Sequence, residues 1–156
     1  MPRVTRRRRL EASPRAVWEV VSDPYHLPRW WPRTQRVENV TSGGPKGRKW
    51  TQVLETKHGR GVRADYRCVS AASGERYVFE QLLEGTPFER ILKSARTEIH
   101  LAADGAGTKV TVQSEQKLRG LSRMGGFMMR RATGRKLSEA LQGLDGATGG
   151  PPPAEV

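Results

Sequence analysis

Residues 12–24 read ASPRAVWEVVSDP, and residues 27–32 read LPRWWP. Ser13 can accept hydrogen bonds from the free backbone N–H groups at the start of a helix, and Pro14 suits the first helical position because its φ is already restricted. The apolar residues that follow recur at helical spacing. The Asp-Pro pair at the end of this stretch stops the helix and begins a second one, which Pro32 must end. The stretch therefore predicts two short consecutive helices.

One strand is predicted before this stretch, with arginines on both of its faces, which is typical of an edge strand or one exposed to water. Six strands are predicted after it, because apolar and polar residues alternate there between glycine-bearing turns. The predicted strands cover residues 4–10, 35–40, 49–56, 62–70, 76–83, 90–101 and 108–117. A long helix is predicted over residues 121–144. Neighbouring strands joined by short loops pair antiparallel, and only the long helix is large enough to cover the apolar face of such a sheet. A curved sheet around one helix leaves a cavity, which is the expected ligand site.

Length and composition favour a single domain without a membrane span. The chain has 156 residues, a mass of 17.4 kDa, a mean hydropathy of −0.68 and a net charge of +12. We expect one folded domain over residues 1–145 and a disordered Gly- and Pro-rich tail over residues 146–156. No stretch approaches the roughly 18 apolar residues of a spanning helix, and the arginine-rich N-terminus lacks the apolar core of a secretory signal. These features predict a cytoplasmic protein.

The reactive side chains form no pattern typical of a metal or cofactor site. Cys68 is the only cysteine, which excludes an internal disulfide and a cysteine-rich metal site. His26, His58 and His100 lie on separate predicted elements without the spacing of metal ligands. We therefore expect neither a metal nor a cofactor.

Basic residues concentrate in two blocks. Residues 1–36 hold nine basic and three acidic side chains, and residues 117–136 hold seven basic side chains and no acidic one. Such a surface can meet nucleic acid, an anionic membrane surface or an acidic partner, and it can equally be a solubilising exterior. The blocks lack the interleaved aromatic residues that stack on bases, which argues against nucleic acid.

The opening stretch resembles one known family. ASPRAVWEVVSDP followed by LPRWWP is similar to the opening of the polyketide cyclase/dehydrase branch of the START/Bet v 1-like (SRPBCC) superfamily. Residues 79–88 and 104–110 also match in position and character. The resemblance implies an α+β helix-grip fold, in which a curved seven-stranded antiparallel sheet surrounds a long C-terminal helix, with two short helices after the first strand. Members bind lipids, sterols, polyketides, hormones or quinones, and some are cyclases or aromatases.

Strand alternation predicts which side chains face the pocket. The predicted pocket residues on the strands are Tyr66, Cys68, Tyr77, Phe79, Gln81, Val112, Ser114 and Gln116. The same alternation turns Ser70 inward. The polar members suit a pocket better than a dry core, since a buried amide without a partner costs about 1–3 kcal/mol. The alternative is that they lie in water at the open ends of the sheet.

One broad face of the long helix points toward the sheet, at about 100° per residue. The pocket residues predicted on this face are Met129, Arg130, Thr133 and Leu137. Arg130 lies in the middle of the face and could hold a ligand carboxylate by two parallel hydrogen bonds. The alternative is that its stem bends outward to water. Arg135 and Lys136 are predicted to be solvated. Trp30 and Trp31 either pack the short helix onto the sheet or gate the pocket mouth.

Three functions fit these features. The first is binding or transport of a small hydrophobic molecule, lipid-, polyketide- or quinone-like and acidic if Arg130 contributes, held by apolar burial. The second is a polyketide cyclase or aromatase, in which a polar pocket residue would polarise a carbonyl or move a proton. The candidates for that role are Tyr66, Tyr77, Gln81 and Arg130, although the inward faces carry no paired carboxylates or His–carboxylate pair. The third is contact of the basic surface with nucleic acid or anionic lipid, which added salt would weaken steeply. A monomer and a homodimer both fit the sequence.

Overall fold

A seven-stranded antiparallel sheet curves around one long helix in the computed structural model, which describes residues 3–42, 44–55, 61–120 and 123–149. The strands are β1 (Arg3–Leu10), β2 (Thr34–Glu38), β3 (Lys49–Leu54), β4 (Val62–Ala72), β5 (Arg76–Leu82), β6 (Leu92–Asp104) and β7 (Gly107–Leu118). The helices are α1 (Pro14–Val21), the one-turn α2 (Leu27–Trp30) and α3 (Arg123–Ala147), with 3₁₀ turns at Pro24–His26 and Pro87–Arg90. The sheet order is β1-β7-β6-β5-β4-β3-β2, so the predicted helix-grip architecture is confirmed.

The opening stretch forms the consecutive helical segments that its sequence predicts. The Ala16 N–H donates to Ser13 Oγ at 3.2 Å, and Pro14 is the first residue of α1. The Tyr25 N–H donates to Asp23 Oδ1 at 3.0 Å, where the second segment starts. This second segment begins as a 3₁₀ turn and only then becomes α2. Side-chain caps therefore set both starting points.

Two strand boundaries differ from the prediction for reasons that lie in the adjoining turns. The sixth strand begins at Leu92 rather than at residue 90, because Pro87 opens a 3₁₀ turn that runs to Arg90. The second strand ends at Glu38, because Asn39 adopts a left-handed backbone conformation with φ of +56°. Turn geometry of this kind depends on a few local contacts, and the alternation of side chains does not report it.

A bulge in β4 shifts the alternation on which part of the pocket prediction depends. The register against β5 shifts between Cys68 and Ser70. Before the bulge, Ala64 and Cys68 are buried, as the alternation predicts. After it, Ala71 rather than Ser70 packs against the core. The inward placement predicted for Ser70 is therefore wrong, because an extra residue in the strand reverses the two faces.

The closed part of the core lies under the C-terminal half of α3. The residues that α3 buries there, each 2% exposed or less, are Leu137, Ala140, Leu141 and Leu144. They join a core cluster formed by α1, α2 and the inner face of the sheet. Gly143 lets α3 approach α2 closely, since a Cβ at this position would lie 2.5 Å from the Trp30 carbonyl oxygen. The glycine is therefore required by packing.

The end of α3 lies beyond the predicted end of the domain. The helix continues to Ala147, past residue 145. Residues 150–156 of the predicted tail, residues 56–60 between β3 and β4, and residues 121–122 of the predicted helix lie outside the described residues. For residues 150–156 the disordered tail stays a prediction, whereas Gly146 and Ala147 belong to α3. Within the described ranges, no helix is long and apolar enough to cross a bilayer.

Candidate functional site

A cavity of about 540 Å³ lies between the sheet and the middle of α3. Its size falls within the range of small-molecule sites. Nine of the fourteen predicted pocket residues line it, and these are Trp31, Tyr66, Phe79, Gln81, Ser114, Gln116, Met129, Thr133 and Leu137. The alternation of the strands and the phase of the helix thus bring most of the predicted set to one place.

Three aromatic rings form the apolar wall of the cavity. The ring centroids of Trp31 and Phe79 lie 5.9 Å apart, and those of Tyr66 and Phe79 lie 5.8 Å apart, both edge to face. Trp50 stacks on Tyr66 with its centroid at 6.0 Å. The Trp50 Nε1–H donates to the buried Gln52 Oε1 at 3.1 Å. Because these contacts fix the rings, a ligand would meet a preformed apolar surface.

Polar groups interrupt this apolar wall at a few points. Burial raises the pKa of the Tyr66 hydroxyl far above its ordinary value. The hydroxyl therefore keeps its proton near neutral pH, and it can donate a hydrogen bond to a carbonyl but cannot accept a proton as a general base. Gln81 and Ser114 also line the cavity. The Thr133 hydroxyl donates to Gln116 Oε1 at 3.5 Å, which joins α3 to β7 across the cavity edge.

Four predicted pocket residues lie in the dry core, each 3% exposed or less, and these are Trp30, Cys68, Tyr77 and Val112. They face inward, but none lines the cavity. Burial raises the pKa of the Cys68 thiol, which donates to the Ser70 carbonyl at 3.5 Å. The Trp18 ring meets Tyr77 edge to face at 6.0 Å. Alternation predicts the face of a strand and says nothing about where along that face a cavity begins, which explains the error for the three strand residues. Trp30 lies on α2 and packs in the core, which is the first of the two alternatives given for it.

Arg130 is exposed and does not line the cavity, contrary to its predicted position. The helical phase is right, since Leu137, seven residues later on the same face, is 1% exposed. Apart from Gly134, which is buried against Arg6, full burial on this side of the helix begins only at Leu137, and the other described residues of the preceding turns are half-buried or exposed. Phe127 and Met128, for example, are 65% and 64% exposed. The depth to which a helix face is buried depends on its distance from the sheet, which periodicity does not report.

A group of charged residues at the cavity was missed by the sequence analysis. Arg33, Arg135 and Lys136 line the cavity, together with Glu55 and Glu139. Arg135 and Lys136 were both predicted to be solvated. Thr133 and Lys136 are three residues apart, so this spacing would have placed Lys136 beside the predicted pocket residue Thr133 on one helix face.

Lys136 lies beside the aromatic wall. Its Nζ is 5.5 Å from the centroid of the Trp31 ring, within the range of a cation–π contact. The residue is exposed overall, and its amine lies over one face of the Trp31 ring. Burial of the amine and, second, the nearby charge of Arg33 lower the pKa of Lys136. The structure therefore holds two like charges close together at the cavity.

Arg33 reaches the cavity from the turn that follows α2. Its backbone is left-handed, with φ of +62°, a conformation that few residues other than glycine adopt readily. The Glu55 N–H donates to the Arg33 carbonyl at 2.8 Å, which ties this turn to the end of β3. The turn is thus held in a costly conformation by its neighbours, and the side chain it carries lines the cavity.

The described residues do not form a metal site. They include no group of three or more His, Cys, Asp or Glu side chains placed to hold a metal ion.

Comparison with known proteins identifies the chain's relatives. The family described as polyketide cyclase/dehydrase and lipid transport matches residues 1–147. No curated protein matches the chain in sequence.

Several solved structures share the fold at low sequence identity. A START superfamily protein from Mycobacterium smegmatis is 15% identical, with a TM-score of 0.75 over 94% of this chain and 96% of that one. The Zhui aromatase/cyclase from Streptomyces sp. R1128 is 18% identical, with a TM-score of 0.74 over 94% of this chain and 92% of that one. The di-domain ARO/CYC StfQ from the steffimycin biosynthetic pathway is 11% identical, with a TM-score of 0.77 over 94% of this chain and 50% of that one.

Proposed function

The chain belongs to the polyketide cyclase/dehydrase and lipid transport family, and from that premise we propose that it binds and carries a small hydrophobic molecule in the cavity beneath α3. The observation that carries this proposal is the cavity of about 540 Å³ with its wall of Trp31, Tyr66 and Phe79. Apolar ligand surface removed from water there contributes about 25 cal/mol per Å². The polar groups between the rings would orient the ligand.

The side chains around the cavity suit binding better than chemical conversion. Tyr66 keeps its proton, and Gln81 and Ser114 do not titrate near neutral pH. Among the described residues that line the cavity, there is no histidine and no cysteine. The two carboxylates, Glu55 and Glu139, share the lining with three basic residues, one from the turn after α2 and two from α3.

A neutral apolar probe tests this proposal. Calorimetric titration with 1-pyrenebutanol should show binding to the wild-type protein. Thr133→Phe fills the cavity from α3 and should weaken the binding by at least about tenfold, because the ring takes the space of the probe. Arg131→Phe places the same ring on an exposed position of the same helix and should leave the affinity unchanged.

The outcomes separate clearly. If Thr133→Phe does not fold by circular dichroism, Ala95→Phe fills the same cavity from β6 and replaces it. Absence of binding to the wild type, or equal affinity in the filled and exposed variants, would contradict a function in this cavity.

A cyclase or aromatase is the second candidate, and the position of Tyr66 favours it. A protonated hydroxyl in a cavity wall could polarise a ligand carbonyl. Incubation with a poly-β-ketone thioester, followed by mass spectrometry, should then show faster cyclisation than in buffer. Tyr66→Phe should remove the acceleration without changing the affinity for 1-pyrenebutanol. A wild-type rate equal to the buffer rate would leave carriage as the function.

Contact with an anionic lipid surface is the third candidate, and the exposed first turns of α3 favour it. Phe127 and Met128 are exposed there close to Arg130 and Arg131. Such a surface should co-sediment with phosphatidylcholine vesicles only when they contain phosphatidylglycerol, and added salt should abolish the binding. Equal sedimentation with both kinds of vesicle would argue against it.

A further inference from the structure

Two cations at the cavity lie close together and have no carboxylate partner among the described residues. Arg33 and Lys136 both line the cavity, and Lys136 Nζ lies over the Trp31 ring. Ion pairs within 4.0 Å were found elsewhere in the described ranges, for example between Arg96 and Glu98 at 3.0 Å. Neither Arg33 nor Lys136 forms an ion pair with a described carboxylate, although several basic residues of the sheet do.

This arrangement opposes the stability of the empty protein. The charge of Arg33 and the burial of the Lys136 amine both disfavour the protonated lysine. The left-handed backbone of Arg33 adds a conformational cost. Arg33 and Lys136 are exposed overall, so water solvates part of each side chain, but two like charges that line one cavity still repel each other. A partner that is not part of the described protein would explain why both cations are held at the cavity.

The shape and position of the two side chains indicate what that partner is. A guanidinium offers parallel N–H donors that match a carboxylate, and an ammonium adds a compact charge. Trp31 forms part of the apolar wall and also contacts Lys136, so the charged and apolar parts of the site are continuous. A molecule that fills both would carry an anionic group at one end of an apolar body.

We propose that Arg33 and Lys136 bind the carboxylate of an amphipathic ligand whose apolar body lies against Trp31 and Phe79. This inference rests on the proposed function and specifies the ligand class. It replaces Arg130, the anchor expected from the sequence, with two residues that line the cavity. Glu55 and Glu139 also face this region, and they would repel a ligand carboxylate placed near them, which restricts it to the side of Arg33 and Lys136.

Two probes that differ only in the head group test the inference. 1-Pyrenebutyrate carries a carboxylate where 1-pyrenebutanol carries a hydroxyl. The wild-type protein should bind 1-pyrenebutyrate more tightly than 1-pyrenebutanol. Lys136→Met keeps an apolar chain of similar length over Trp31, and Arg33→Asn introduces a residue that tolerates the left-handed backbone. Each variant should lower the affinity for 1-pyrenebutyrate about tenfold, which is the loss expected for a charged hydrogen bond. The affinity for 1-pyrenebutanol should not change.

The matched control is Arg130→Met, which removes an exposed cation of the same helix and should change neither affinity. The carboxylate site would be overturned if the wild type bound the two probes with equal affinity, or if Lys136→Met lowered both affinities by the same factor. Binding in the cavity would stand in either case. If the wild type binds neither probe, the proposed function itself fails.

Thermal unfolding provides a readout that distinguishes a ligand anchor from a structural cation. Lys136 has a lowered pKa, so its protonation in the unfolded chain favours unfolding below the ordinary lysine pKa. Lys136→Met should therefore leave the melting temperature of the empty protein unchanged or raise it. A clear decrease would mean that the lysine serves stability, and the site would be rejected.

Discussion

The two halves of α3 lie over the same sheet and form different kinds of interior. In the second half, residues 137–147, the leucines are fully buried against α1, α2 and the inner sheet face. In the first half, residues 123–136, Met129 and Thr133 are half-buried above the cavity, and Phe127 and Met128 are exposed. One half closes the core, and the other leaves room for a ligand.

Two glycines of α3, one in each half, differ in their surroundings. A Cβ on Gly143 would meet the backbone of Trp30 at 2.5 Å, whereas a Cβ on Gly126 would meet nothing within 4 Å. Gly143 therefore permits close packing against α2, whereas Gly126 faces open space; Gly134 is also closely packed, against Arg6, and Gly146 also has no neighbour. A helix-grip domain can thus keep its stability and its binding capacity in separate parts of one helix.

Truncation of a buried side chain should give the largest difference between the halves. Leu144→Ala removes a fully buried side chain and should lower the free energy of unfolding by about 2–5 kcal/mol. Met129→Ala, at the cavity, should cost about 1 kcal/mol or less, because little packing surrounds it. Urea denaturation measures both. Similar losses would show that the first half is packed as tightly as the second.

Adding a methyl group should act in opposite directions on the two glycines. Gly143→Ala should lower the free energy of unfolding by about 1–3 kcal/mol, because the new Cβ displaces α2. Gly126→Ala should raise it by up to about 1 kcal/mol, since alanine is the better helix former and meets no neighbour. Urea denaturation measures both changes in the free energy of unfolding. If Gly143→Ala stabilised the protein, this would contradict the close approach of α3 to α2.

Proton uptake should accompany ligand binding only at the open half. A carboxylate beside Lys136 opposes the effects of burial and of Arg33, so binding raises the lowered pKa of the amine. The affinity for 1-pyrenebutyrate should therefore fall as the pH rises through that pKa, below the ordinary lysine value. The affinity for 1-pyrenebutanol should stay constant. Calorimetry in buffers of different ionisation enthalpy measures the protons directly, and a pH-independent butyrate affinity would argue against Lys136.

The outer face of the sheet, remote from both halves, should give the smallest effect. Burial opposes the ionisation of Glu98, but hydrogen bonds from His100 and Arg76 and the charges of Arg76 and Arg96 outweigh it and hold its pKa below the ordinary value. Its stabilisation is present above the pKa of the unfolded carboxyl and is lost as the pH falls through the lower folded pKa. Glu98→Gln should cost about 0.5–1 kcal/mol at pH 7 and nothing in strong acid. A cost independent of pH would show that packing dominates.

The architecture could be predicted because its signals are local. Ser13 and Asp23 cap the helical segments that their sequence predicts, and alternation located the six strands that follow them. The bulge after Cys68 could not be predicted, since it depends on how β4 meets β5. For this reason the β4 residues predicted to face inward were correct up to Cys68 and wrong at Ser70.

The candidate site could be predicted only in part, because its limits are tertiary. Tyr66 and Phe79 were predicted from strand alternation, and Trp31 from its place after the short helix near the expected pocket mouth. Lys136 lines the cavity and Arg130 does not, the reverse of the prediction, since the helix phase tells which side chains face the sheet and not how far the sheet lies from them. Arg33 was missed because only the left-handed turn after α2 brings it to the cavity.

The position of β1 at one edge of the sheet has a consequence for the synthesis of the chain. β1 pairs with β7, and Arg3 meets Glu115 across 112 positions of sequence. As the chain leaves the ribosome, the first strand has no β7 to pair with until most of the protein has been made. Four consecutive arginines, residues 6–9, occupy that strand. Their mutual repulsion would keep the waiting strands of neighbouring nascent chains from joining edge to edge.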